Sequence, residues 1–212
     1  MKYEECLEQR EELAFYMRRL YKQKLTTCSG GNLSARLDEK HIIITPSSLD
    51  KGFIKAEQIG LMTIDGENLT PHLKPSIETG MHLSAYRTRD DIKAIIHAHP
   101  VTATSFAAMD KKININLTGE AFVVLKKIAY APYILMGTDG LSEAVCEGLK
   151  ISNVVIMKNH GITTVGNTLL SAFDKMEVLE AAAQMTLNTQ IMGNISQLTD
   201  KNLDELIEWS NK

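Results

Sequence analysis

The sequence predicts a mixed α/β fold, with helices covering a central sheet that is at least partly antiparallel. Helix-period and strand-like segments alternate along the chain. Apolar runs meet across tight turns at Asp65-Gly66 and His160-Gly161, the arrangement of antiparallel neighbours. No repeat, low-complexity tract or composition break divides the 212 residues, so the expectation is one domain over 1–212.

Each element has its own signal. Cys6, Leu7, Arg10, Leu13, Ala14, Met17, Leu20 and Tyr21 recur at helical spacing and predict an opening helix over about 4–24. The polar stretch 26–32 follows, then strand-like Leu33–Leu37 and Ile42–Ile44, closed by the turn Thr45-Pro46-Ser47-Ser48. Leu61–Ile64 reads as a strand ending in a hairpin at Asp65-Gly66. Pro75 in a first turn and Ser76 as a cap predict a helix running to about Arg87. Ile92–His99 is the clearest strand, followed by a helix to about Met109. Beyond it the pattern predicts strands near 113–117, 130–134, 153–158 and 161–165, and helices near 119–127, 139–149, 168–191 and 200–209.

Composition removes several function classes. The chain is 44% apolar and 23% charged, enough to bury a core without disulfide staples. No apolar run reaches the ~20 residues of a bilayer span, and the charged stretch Met1–Arg10 has no apolar signal region, so the expected location is the cytoplasm, off the membrane. A net charge of −3 without a basic stripe argues against a nucleic-acid partner. Cys6, Cys28 and Cys146, far apart and in no CxxC pair, read as free buried thiols of a reducing compartment.

Histidines carry the chemistry. On a strand, His97 and His99 project from one face and can reach one cation, and Pro100 ends the ladder beside them because it has no N–H to donate. His160 closes a second apolar strand, where Gly161 permits a close backbone approach. Glu78, four residues before His82, adds a carboxylate at the start of a helix. Three histidines with an exchangeable carboxylate or water match a catalytic zinc rather than a closed structural one, although an HxH pair alone is weak evidence and more often marks hydrogen-bonded packing. His82 is either a further ligand or, by preference, a packing residue that hydrogen-bonds a ligand. His41 and His72 read as solvated.

Small polar loops supply anion sites. Ser29-Gly30-Gly31-Asn32 has the composition to wrap N–H groups around a phosphate, and Ser47, Ser48 and Ser76 add hydroxyls, with Lys74 as the nearby positive charge. Each loop alone is an ordinary turn, and neither GxxxxGK[ST] nor a GxGxxG after a strand occurs.

Taken in order, Ser29-Gly30-Gly31-Asn32-Leu33-Ser34, Ile44-Thr45-Pro46-Ser47-Ser48, Lys74 to His82, His97-Ala98-His99-Pro100, Ala131-Pro132-Tyr133 with Gly137-Thr138, and Asn159-His160-Gly161 resemble the class II aldolase/adducin family, and its fuculose-phosphate aldolase branch above all. The motifs span about residues 5–190. The resemblance implies a three-layer α/β sandwich around a mainly antiparallel sheet, assembled as a homotetramer with active sites between subunits. It implies that His97, His99 and His160 bind Zn2+ (Mn2+ or Co2+ being alternatives). Glu78 is implied as the mobile fourth ligand and acid/base, with Ser29, Gly31, Asn32, Ser47, Ser48 and Ser76 holding the substrate phosphate. The implied reaction is cleavage of a (deoxy)ketose 1-phosphate, such as L-fuculose or 5-deoxyribulose 1-phosphate, to dihydroxyacetone phosphate and a small aldehyde.

Two departures from the family pattern stand out. Ile77 replaces a serine before the glutamate, and the position of a tyrosine acid/base falls at Thr118. A C-terminal tyrosine also lacks a counterpart, with Trp209 in its region. Alternatives within the family are a ribulose-phosphate 4-epimerase, a methylthioribulose-phosphate dehydratase and a sugar-acid phosphate decarboxylase. Outside enzymes, the alternative is a non-catalytic adducin-like interaction module, against which the intact histidine set argues.

Overall fold

The computed structural model describes residues 2–210. A short 3-10 turn, Tyr3–Cys6, leads into α1 (Leu7–Lys22), and then come β1 (Asn32–Arg36), β2 (His41–Ile44) and β3 (Gly60–Thr63). Next are α2 (Thr79–Thr88), β4 (Ala94–Ala98), α3 (Val101–Ala107), α4 (Gly119–Leu125) and β5 (Ala129–Ala131). The last elements are α5 (Asp139–Leu149), β6 (Val154–Met157), β7 (Gly161–Gly166), α6 (Leu169–Met192) and α7 (Asp200–Ser210). The seven strands form one sheet in the order β3-β2-β1-β4-β7-β6-β5. Every pairing is antiparallel except β5 with β6.

Strand alternation builds two cores. Ile43, Ile96, Val154 and Ile156 face α1, α3, α4 and α6, around Leu13, Met17, Phe173 and Leu179. Their neighbours Ile42, Ile44, Ile95, Val155 and Met157 face α2 and α5, around Tyr86, Leu141 and Val145. Both sheet faces are therefore buried under helices, which makes the expected three-layer α/β sandwich and explains why these strands read as nearly continuous apolar runs. The odd-numbered residues of β4 share the α2 side, so His97 points where α2 begins.

Four expectations change. The alternating Ile113–Leu117 run is not a strand: Asn114 Oδ1 accepts from the Asn116 N–H at 2.9 Å and turns Ile115–Leu117 into a 3-10 turn. Asn side chains satisfy the local backbone and so compete with a ladder. The helix expected from Pro75-Ser76 begins at Thr79, because Pro46 bridges Pro75 and the Ser47 N–H donates to Lys74 O at 3.1 Å, holding this stretch extended. Ser76 therefore does not cap the helix, and Glu78 occupies the N-cap position. The strand expected over 130–134 runs only over Ala129–Ala131, since Pro132 cannot donate to the ladder. Cys6 and Cys146 are buried free thiols as expected, whereas Cys28 is exposed on its loop. Among the described residues no helix is long and apolar enough to cross a membrane.

Candidate metal centre

β4 is the middle strand of the sheet, and its end delivers His97 and His99, whose ring centroids lie 4.7 Å apart. The β6–β7 turn, with Asn159 at φ 53°, brings His160 to 5.0 Å from His97. One ligand nitrogen from each ring lies within 4.8 Å of the others. Gly161 makes the approach possible: a Cβ there would stand 2.5 Å from His99 Cδ2 and 2.9 Å from Ala98 O. Gly161→Ala is therefore expected to push His99 off the common point and weaken divalent-metal binding by about 10–100-fold, as outer changes at metal sites do. Isothermal titration with zinc measures this.

Glu78 arrives from the α2 N-cap. Its Oε2 lies 3.1 Å from His97 Nε2 and its Oε1 3.0 Å from His160 Nε2. His97 Nδ1 is 3.0 Å from Ile162 O and must donate to it, because a carbonyl oxygen only accepts. Its Nε2 is left facing the Glu78 carboxylate. Buried His97 Nε2 and Glu78 Oε1 have no hydrogen-bond partner. Three imidazoles and one carboxylate converging on one buried point fit a cation, and this donor set suits a zinc-like ion with an exchangeable position. Burial opposes the charge on Glu78, but the nearby His97, with contacts from His160 and Asn32, outweighs it and holds the carboxyl well below its ordinary range. Burial drops His99 to about 3, so its ring stays neutral and able to ligate.

Behind Glu78 lies a chain of buried polar groups. Asn32 Nδ2 donates to Glu78 Oε2 at 2.8 Å, and Asn32 Oδ1 lies 2.6 Å from His82 Nε2. His82 Nδ1 is 2.6 Å from Ser34 Oγ, which is 2.8 Å from Tyr86 OH. His82 is thus a hydrogen-bonding residue behind the ligand set rather than a ligand. Ser34 and Tyr86 escaped the sequence reading, although Asn32 and Ser34 alternate on β1 and Glu78, His82 and Tyr86 recur every four residues on α2.

The three small-polar loops meet beside this centre. Gly31, at φ 68°, lies where a Cβ would stand 2.8 Å from His97 O, so the 29–31 loop abuts β4. The Lys51 N–H donates to Cys28 O at 2.7 Å and ties the 45–51 loop to the 28–31 loop. The Ser47 link to Lys74 adds the segment carrying Ser76. Ser47 Oγ is buried without a partner, Ser29 and Ser48 are exposed, and Ser76 accepts the Glu78 N–H at 3.3 Å. Asn32 is already engaged by His82 and Glu78.

Lys74 is exposed, whereas Lys51 is only 1% exposed and its ammonium donates to Pro46 O. Burial lowers Lys51 to about 8 from 10.5. Between those values the unfolded chain binds more protons, so stability should rise as pH climbs through that window. Lys51→Met is expected to abolish this rise and to raise the urea midpoint at pH 7. Urea titrations from pH 7 to 10 check both.

The cavity between α3 and β5, about 420 Å3, is lined by Phe106, Met109, Lys112, Tyr130 and Lys158 and contains none of the three histidines. Ligand chemistry rather than cavity size therefore marks the site.

Residues 11–187 match the family described as Class II Aldolase and Adducin N-terminal domain. The chain belongs to this family. As a class II aldolase it is a metal-dependent lyase of sugar-phosphate metabolism. It is 42% identical over 178 residues to an L-fuculose phosphate aldolase of Methanococcus maripaludis, covering 84% of this chain and 94% of that one. It is 32% identical over 199 residues to a 5-deoxy-D-ribulose 1-phosphate aldolase of Bacillus thuringiensis serovar kurstaki, covering 93% of each. A solved L-fuculose 1-phosphate aldolase superposes with a TM-score of 0.86 at 32% identity over 96% of both chains.

Proposed function

We propose that this class II aldolase cleaves a (deoxy)ketose 1-phosphate, L-fuculose or 5-deoxyribulose 1-phosphate being the leading examples, to dihydroxyacetone phosphate and a small aldehyde. His97, His99 and His160 hold a zinc ion, with Glu78 as its exchangeable fourth ligand. The observation that carries this reading is the convergence of three imidazole nitrogens and the Glu78 carboxylate on one point. The names of the relatives above supply the substrate class.

When bound, a divalent ion supplies Lewis acidity toward a ketose carbonyl and its adjacent hydroxyl, easing charge build-up as the C3–C4 bond breaks. His97 is oriented for this by its Nδ1–H bond to Ile162 O. Glu78 Oε1, which faces His160 Nε2 at 3.0 Å, is the atom placed to take up and return a proton. Thr118 Oγ1 accepts from the Ala121 N–H and caps α4, and a threonine hydroxyl is no replacement for a tyrosine acid/base. Ser29, Gly31, Asn32, Ser47, Ser48 and Ser76 lie on the loops that would receive the phosphate, and the unpartnered Ser47 hydroxyl supports that role.

The working protein is a cytoplasmic homotetramer with sites between subunits. Exposed Ile77, Tyr133, Leu135 and Met136, on the segments flanking Glu78, support a partner surface there. Zinc-loaded protein is tested against fuculose, rhamnulose, ribulose and 5-deoxyribulose 1-phosphates in a coupled assay for dihydroxyacetone phosphate, with and without chelator. Chelator-sensitive release from at least one is expected. Release from none, or product formed only by epimerisation or loss of carbon dioxide, would overturn the reading.

A further inference from the structure

We infer that His82 is a positioning residue that holds the Asn32 amide with its N–H, not its carbonyl, toward the metal site. The inference rests on the proposed role of Glu78 only for its kinetic consequence. Its basis is the direction of four consecutive buried hydrogen bonds, each forced by the chemistry of its partners.

The Glu78 carboxylate only accepts, so Asn32 turns its Nδ2 to Oε2, 2.8 Å away. Asn32 Oδ1 therefore faces His82 Nε2 at 2.6 Å, and that nitrogen must carry the proton. With Nε2 as donor, neutral His82 has an acceptor at Nδ1, which takes the Ser34 hydroxyl hydrogen at 2.6 Å. Ser34 Oγ in turn accepts from Tyr86 OH at 2.8 Å. Ser34, His82 and Tyr86 are all fully buried, so no water can reverse one link without leaving a buried polar group unpaired.

Flipping the Asn32 amide would set its carbonyl against the carboxylate and its N–H against the His82 N–H. The chain from Tyr86 to Glu78 therefore specifies one orientation. It does more than fill the α2–sheet interface, because an apolar residue could do that. Once the Glu78 carboxylate swings away, the same N–H remains aimed at the site and can meet an anionic substrate oxygen. The amide does not pass protons along, so this is orientation and not proton conduction.

Two polar variants of His82 separate the roles of its nitrogens. His82→Gln places an N–H near the Nε2 position and should keep kcat within about 3-fold. His82→Asn can match only Nδ1, leaves Asn32 Oδ1 without its donor, and should lower kcat by about 10–100-fold with zinc content little changed. A purely structural role would affect the two alike or follow melting temperature alone. Independently of activity, long-range 1H–15N spectra of histidine-labelled holoprotein should show His82 as the neutral Nε2–H tautomer. A proton on Nδ1, or equal kcat for the two variants, overturns the inference. An inactive wild-type protein that shows the Nε2–H tautomer would sink the proposed reaction and leave the orientation of Asn32 standing.

Discussion

Glu78→Gln should lower kcat by about 10²- to 10⁴-fold, the range a general acid/base contributes, while zinc remains bound. The amide keeps the size of the side chain and an acceptor for Asn32 Nδ2, so the β1–α2 contact survives. What disappears is the proton-carrying carboxylate oxygen, Oε1, which faces His160 Nε2. Three imidazoles still present their nitrogens within 4.8 Å of one another, enough to retain a divalent ion. Steady-state rates at saturating zinc, together with elemental analysis, distinguish loss of proton transfer from loss of metal. Activity equal to wild type would remove Glu78 from the mechanism.

His160→Ala, or chelation of the wild type, should remove activity by about three orders of magnitude or more, since Lewis-acid stabilisation is worth several kcal/mol. This variant isolates metal binding from folding better than one at His97. His97 is fully buried and donates to Ile162 O, so its loss also orphans a carbonyl, whereas His160 Nδ1 has no partner to lose. Zinc at 100 times its Kd should stabilise the wild type by about 2.7 kcal/mol through mass action. Thermal melts with and without zinc should show that shift in the wild type and almost none in His160→Ala. A zinc-independent melt of the wild type would overturn the metal site.

Much of this architecture could be read from residue order. The α1 stripe, the Ile42–Ile44 and Ile92–His99 strands and the His160-Gly161 turn follow from side-chain periodicity and turn chemistry, which act over a few residues. The Ile113–Leu117 run misled because its Ile/Asn alternation has the period of a strand, whereas the Asn114 side chain takes the nearby Asn116 N–H and closes a 3-10 turn instead. The start of α2 shifted because a bridge from Pro46, far away in sequence, keeps Pro75 extended. The HxH pair, His160 and Glu78 stood out individually because ligating residue types at strand ends and helix starts are conspicuous.

Residue types, spacing and motif order thus determined the family, the layered α/β fold and the four groups able to meet a metal. Only the folded chain decided that Glu78 sits between His97 and His160, that Lys51 rather than Lys74 is buried behind the anion loops, and that His82, Ser34 and Tyr86 orient Asn32. Periodicity records which face a side chain takes within its own element. Hydrogen-bond direction and burial depend on what a different element places opposite it, and the packing of β1 and β4 against α2 sets that arrangement.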